Sequence, residues 1–162
     1  MNALARDPLP ELRPTVLFVD DDAGNRQAFR AAFRDNMVVL VAADLKEAWE
    51  LLQANRVHVV IADQRMPNTT GSELLALVKD AFPAIRRMLV TGYADLEAII
   101  EAVNNGGVTK YFAKPWVSDQ LVHAVNQAFA EYQAEEDRLS YTRRLEDANK
   151  QLEFALRQRL LS

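Results

Sequence analysis

The chain has no cysteine, which excludes disulfides and thiolate metal sites and permits a reducing compartment. It has no apolar run approaching the ~18 residues that a membrane-spanning helix needs. The amino-terminal MNALARDPLPELRP lacks the apolar stretch of a secretory signal. Neither a spanning segment nor a leader is therefore expected, and the expected location is the cytoplasm. An excess of positive charge is missing too: 19 Lys and Arg stand against 23 Asp and Glu, a net charge of −4, so nothing electrostatic points to direct nucleic-acid binding. What is present is ordinary for a folded protein. Hydrophobic residues at 49% and charged residues at 26% argue against disorder, and 162 residues suffice for one domain with a proper core plus an extension.

After a lead-in over residues 1–13, the apolar pattern alternates between short runs and longer helical stretches. TVLFV (15–19), MVVLVA (37–42), VHVVIA (57–62), RMLVT (87–91) and KYFA (110–113) are β-branched or aromatic and mostly continuous, as in parallel strands covered on both faces. Between them, NRQAFRAAFRD, LKEAWELLQAN, SELLALVKDAF and DLEAIIEAVNN carry apolar residues at helical spacing. Asp44, Ser72 and Asp95 are expected helix N-caps, with Asn55 and Gly106 as stops. A repeated βα alternation of this kind specifies a doubly wound α/β sheet with right-handed crossovers.

The last helical stretch runs past the end of such a domain. No Pro or Gly interrupts Ser118 to Leu160, and the composition shifts to Glu, Arg, Gln, Ala and Leu. Leu121, Val125, Tyr132 and Leu139 keep one heptad-like register and Leu145, Asn149, Leu152 and Leu156 another, with a phase slip near 140–144. The expected division is a domain over 14–130 and a coiled-coil extension over 131–162, through which the chain forms a homodimer.

In a doubly wound sheet, ligands bind beyond the carboxyl ends of the strands. Asp20, Asp21 and Asp22 follow the first apolar run, Asp63 the third, Thr91 ends the fourth and Lys114 follows the fifth. Clustered carboxylates raise one another's pKa, and a divalent cation relieves that repulsion. Mg²⁺ suits such a set because it takes oxygen ligands from one or two carboxylates, with waters and phosphate oxygens completing an octahedron. A further carboxylate can then attack a phosphoryl group while a lysine and a hydroxyl neutralise its oxygens. The set reads as phosphoryl transfer to an aspartate.

The pieces VLFVDDD, VVIADQRMPNTTG, MLVTGYAD and YFAKPW, in this order and spacing over roughly residues 14–130, resemble the receiver domain of two-component response regulators. The resemblance implies a CheY-like sheet of order 2-1-3-4-5 and a histidine kinase or phosphotransfer protein as phosphoryl donor. It implies Asp63 as phosphoacceptor, with Asp20, Asp21, Asp63 and the backbone carbonyl of Arg65 around Mg²⁺. Thr91 and Lys114 would bind the phosphoryl group, and Tyr111 would rotate inward on activation. It also implies a cis Lys114–Pro115 bond, which is reasonable because X-Pro bonds favour trans by only about 0.5–1 kcal/mol. TGYAD followed by NNGGVTKYFAKPW further resembles receivers joined to HD-type phosphodiesterases or to transcriptional regulators of hydrogenase genes, without choosing between those outputs.

Other residues receive plainer readings. Asp22 is assigned to capping the following helix, His58 and His123 to packing or surface roles, and Trp49 and Trp116 to packing. Arg65 and Tyr93, both large, are expected to flank the line along which water attacks a phosphoaspartate. Two alternatives stand beside the receiver reading. DDDAG parses as the Asp-x-Asp of a haloacid dehalogenase-type phosphatase, with Asp20 as nucleophile and Asp22 as acid, although Gly24 and the lack of a later acidic pair depart from that pattern. The chain also fits a coiled-coil dimerisation module whose receiver no longer switches.

Overall fold

A computed structural model describes residues 13–92, 96–105 and 107–161. The expected cap Asp95, the expected stop Gly106 and the flanking Tyr93 lie outside the described residues. Strands β1 (Thr15–Val19), β2 (Val38–Ala42), β3 (Val59–Asp63), β4 (Arg86–Thr91) and β5 (Lys110–Ala113) alternate with helices α1 (Ala23–Phe33), α2 (Leu45–Ala54), α3 (Gly71–Ala81), α4 (Leu96–Asn105) and α5 (Ser118–Leu161). The strands form one parallel sheet in the order β2-β1-β3-β4-β5. The doubly wound, CheY-like architecture expected from the sequence is the one observed.

The alternating side chains of each strand feed two cores. Val16 and Phe18 of β1, Val59 and Ile61 of β3, and Met88 and Val90 of β4 pack with Phe29 and Phe33 of α1 and Leu121 and Val125 of α5. Leu17, Val19, Val60, Ala62 and Leu89 point the other way, onto Leu52 of α2, Leu74, Leu75 and Val78 of α3, and Ala102 of α4. Burial on both faces explains why the sequence runs are continuous rather than alternating. It does not extend to every strand. The runs at 37–42 and 110–113 become the edges, where a missing neighbour leaves Val38 39% and Tyr111 50% exposed.

Helix starts follow from local hydrogen bonding. Asp22 caps α1 by accepting from Asn25 N at 2.9 Å, and Asp44 caps α2 by accepting from Glu47 N at 2.9 Å. Asn55 ends α2 as expected. Ser72 does not cap α3. The helix begins earlier, at Gly71, because Thr70 and Glu73 form a reciprocal capping box and Ser72 is buried inside the first turn. His58 also differs from expectation, lying one residue ahead of β3 rather than within a strand.

Helix α5 continues unbroken for 44 residues, straight through the phase slip at 140–144. Its buried residues are Leu121, Ala124, Val125, Ala128, Phe129 and Tyr132. The last two close over His58, whose ring lies 4.7 Å from Phe129 and 4.9 Å from Tyr132, centroid to centroid, while its Nδ1 accepts from Thr15 N at 2.9 Å. Arg56 sits over the Tyr132 ring and pairs with Glu136 at 3.5 Å. Past this point the apolar residues of α5 face solvent, with Leu145 49%, Leu152 62% and Leu156 60% exposed.

Candidate phosphoryl-transfer site

The carboxyl ends of β1, β3, β4 and β5 gather the residues singled out in the sequence. Asp20 follows β1 and is fully buried, Asp63 is the last residue of β3, Thr91 the last of β4, and Lys114 follows β5. Asp21 is exposed. One carboxylate oxygen from each of Asp20, Asp21 and Asp63 lies within 4.8 Å of the others. Lys114 Nζ is 3.2 Å from Asp63 Oδ1 and 3.8 Å from Asp20 Oδ2. The Lys114–Pro115 bond is cis, and the backbone N–H of Lys114 donates to the Thr91 carbonyl at 2.8 Å.

Burial at the strand end pushes the Asp63 carboxyl above the usual aspartate range. Lys114 opposes that shift by charge and hydrogen bond, while the charges of Asp20 and Asp21 reinforce it. Three all-oxygen donors in this spacing suit a hard divalent cation, which would remove the mutual repulsion. Two residues that the sequence reading did not single out hold Asp20 in place. Asn25 Nδ2 donates to Asp20 Oδ2 at 3.2 Å, and Arg26 Nη1 donates to the Asp20 carbonyl at 2.8 Å. The N–H of Asp22 donates to Asp20 Oδ1 at 2.9 Å. Their signal was positional: both side chains belong to the first turns of α1, directly after the acidic run.

Arg65 lies in the loop between β3 and α3 and its side chain is exposed. Tyr111 is exposed on the edge strand. Asp22, the acid of the phosphatase alternative, has its Oδ1 engaged in capping α1.

The response regulator receiver domain family matches residues 16–126. The chain belongs to that family. This receiver is 40% identical over 120 residues to the hydrogenase transcriptional regulatory protein HoxA of Cupriavidus necator, covering 74% of this chain and 25% of that protein. It is 35% identical over 126 residues to HoxA of Bradyrhizobium diazoefficiens, covering 78% and 26%. The chain thus spans about a quarter of the length of these relatives. Sporulation initiation phosphotransferase F of Bacillus subtilis is 30% identical over 113 residues, covering 69% of this chain and 90% of that protein. Among solved structures, the signal receiver domain of an HD domain-containing protein from Pseudomonas fluorescens Pf-5 superposes with a TM-score of 0.73 at 31% identity, covering 78% of this chain and 93% of that one. A receiver domain is a signalling domain. Phosphoryl-transfer switching is the general function of the family, and it implies a histidine kinase or phosphotransfer partner. Among the described residues no helix is long and apolar enough to cross a membrane.

Proposed function

We propose that Asp63 accepts a phosphoryl group from the phosphohistidine of a kinase or phosphotransfer protein. The supporting observation is the meeting of Asp63 with Asp20, Asp21 and Lys114, in which a desolvated carboxylate is 3.2 Å from an ammonium. In the transfer an Asp63 oxygen forms a bond to phosphorus as the histidine nitrogen–phosphorus bond breaks. Mg²⁺, held by the carboxylates of Asp20, Asp21 and Asp63 and the carbonyl of Arg65, supplies charge neutralisation when bound. Lys114 neutralises a phosphoryl oxygen, and the Thr91 hydroxyl moves toward another. The shift of Thr91 favours an inward Tyr111 and alters the face built from α4, β5 and α5. Arg65 and Tyr93, two residues after Asp63 and Thr91 respectively in the sequence, slow hydrolysis of the phosphoaspartate. Phosphorylation biases an equilibrium between two conformations only by its differential interaction with them.

The receiver body is read as residues 14–130, with 131–162 as the coiled-coil extension through which two copies dimerise and pass the signal on. The two HoxA relatives are transcriptional regulatory proteins, which supports transcriptional control as the output, exerted by regions other than this receiver. The experiment is incubation with acetyl phosphate and Mg²⁺ followed by intact-mass measurement. One added phosphoryl group is expected in the wild type and none in Asp63→Asn. Phosphorylation mapped to Asp20 would reverse the assignment.

A further inference from the structure

We propose that Gln64, the residue after the acceptor, is a positioning residue for the acidic pocket, its buried side-chain amide clasping Ser72 and so setting the loop that leaves Asp63. The proposal rests on the function proposed above and deepens it.

A helix begins with backbone N–H groups that have no partner within the helix. At α3 Gln64, Thr70 and Glu73 satisfy them. The N–H of Gly71 donates to the Gln64 carbonyl at 3.1 Å, and that of Ser72 to Gln64 Oε1 at 2.9 Å. The N–H of Glu73 donates to Thr70 Oγ1 at 3.2 Å, and that of Thr70 to Glu73 Oε2 at 3.3 Å. Gln64 therefore supplies half of the cap of α3 from the far side of the loop. Its Nε2 also donates to Ser72 Oγ at 3.2 Å, and Ser72 Oγ lies 3.2 Å from Thr70 Oγ1.

Both partners are buried, Gln64 9% and Ser72 3% exposed. An apolar side chain would fill the space between β3 and α3 equally well. An amide whose donor and acceptor both meet one residue instead specifies a single orientation. The backbone N–H of Gln64 donates to Val90 O at 2.9 Å, so the clasp ties α3 to the β3–β4 pair as well. Within the loop, Arg65 follows the clasp directly, and Met66 packs on the core beneath. The direction of the Arg65 carbonyl thus follows from Gln64 on one side and Met66 on the other. Partners one step removed from a metal's ligands commonly change its affinity by about 10–100-fold when removed.

The test compares the wild type with Gln64→Leu, Ser72→Ala and the double variant. Mg²⁺ alone is titrated by calorimetry, and amide exchange at Gly71 and Ser72 is followed without metal. Gln64→Leu is expected to weaken Mg²⁺ binding about tenfold, to speed exchange at Ser72 and to leave unfolding cooperative. Ser72→Ala keeps the N–H to Oε1 bond and is expected to show a smaller loss. The double variant is expected to bind as Gln64→Leu does, because both changes remove one interaction. A folded Gln64→Leu protein with wild-type Mg²⁺ affinity overturns the proposal. Should that variant fail to fold, Gln64→Asn, which keeps the amide but is one methylene short, decides in the same way. A wild type that takes up phosphoryl and Mg²⁺ while the variants match it removes the clasp alone. A wild type that takes up neither removes the function proposed above and the clasp with it.

Discussion

Lys114 Nζ lies 3.2 Å from Asp63 Oδ1, so the negative charge that burial disfavours on this carboxylate is met by a cation from the end of β5, two strands away. The two effects oppose each other, with burial the larger. Replacing the lysine removes both contributions that lower the Asp63 pKa, its charge and its hydrogen bond. In Lys114→Met, Asp63 is expected to titrate at higher pH than in the wild type, read from the carboxyl carbon by NMR. Phosphoryl uptake from acetyl phosphate is expected to fall by roughly a hundredfold, as for removal of a single group that stabilises developing charge. Unchanged titration and uptake would mean that the ion pair is incidental.

The raised pKa of Asp63 also sets the sign of a stability effect. The folded chain prefers the protonated acid, so the contribution of this group to stability is complete below the unfolded value of 3.8 and is lost as pH rises through the higher folded value. Above the folded value and without metal, the ionised group is therefore a net cost. Asp63→Asn is expected to melt above the wild type at pH 7, with the difference shrinking toward pH 3.8 and below. Added Mg²⁺ is expected to raise the melting temperature of the wild type more than that of the variant. A variant that melts below the wild type at neutral pH would show that the Lys114 pair outweighs burial.

Much of this arrangement was legible in the sequence because two rules are strong. Strands buried on both faces read as unbroken apolar runs, and ligand sites of doubly wound sheets collect at strand ends, which brought Asp20, Asp63, Thr91 and Lys114 together in advance. The misreadings have physical causes. Thr70 and Ser72 both offer a cap hydroxyl, and the deciding feature was Glu73, three residues after Thr70, which completes the box only from there. The runs at 37–42 and 110–113 look as buried as the others, since hydrophobicity does not record which strand becomes an edge. Asn25 and Gln64 resemble ordinary polar surface residues until the turn of α1 and the start of α3 bring their partners to them. His58 acquires its role from Phe129 and Tyr132, far along the chain, and no local pattern announces such a contact.

Gly71 is required by close approach rather than by backbone conformation. A methyl group there would overlap the carbonyl oxygen of Asp63, 2.8 Å from its carbon and 2.9 Å from Leu89 Cδ1. Backbone and a core side chain cannot both yield, so α3 would be forced away from the acceptor strand. Gly71→Ala is expected to destabilise the fold by about 1–3 kcal/mol and to slow phosphoryl uptake as well. Denaturant unfolding with a parallel phosphorylation assay checks both, and a variant of wild-type stability would show that the helix can shift at no cost.

His58 joins the amino-terminal edge of the sheet to the last buried turn of α5. His58→Ala removes the ring under Phe129 and Tyr132 and leaves the Thr15 N–H without its Nδ1 acceptor. A lost buried partner of this kind costs about 1–3 kcal/mol, and its effect should concentrate where the ring packs. Hydrogen exchange is expected to rise at residues 129–136 more than at the start of α5. A uniform increase along the whole chain would instead mark His58 as ordinary core.

The exposed stripe of α5 gives the last expectation. Leu145, Asn149, Leu152 and Leu156 recur at steps of four, three and four residues, the spacing of a two-helix seam. The three leucines are each about half exposed or more. A second copy in parallel register would bury them and pair Asn149 with Asn149. Leu152→Lys is expected to convert a dimer to a monomer in light scattering at micromolar concentration, because it places two ammonium groups at one seam position. Phosphoryl uptake at Asp63 is expected to be unchanged, since the pocket is built from residues between Asp20 and Lys114. Asn149→Leu is expected to strengthen association while admitting other registers or oligomers, because a buried asparagine fixes alignment at a cost in stability. A wild type that is monomeric at all concentrations, or a Leu152→Lys protein that stays dimeric, would place the contact elsewhere.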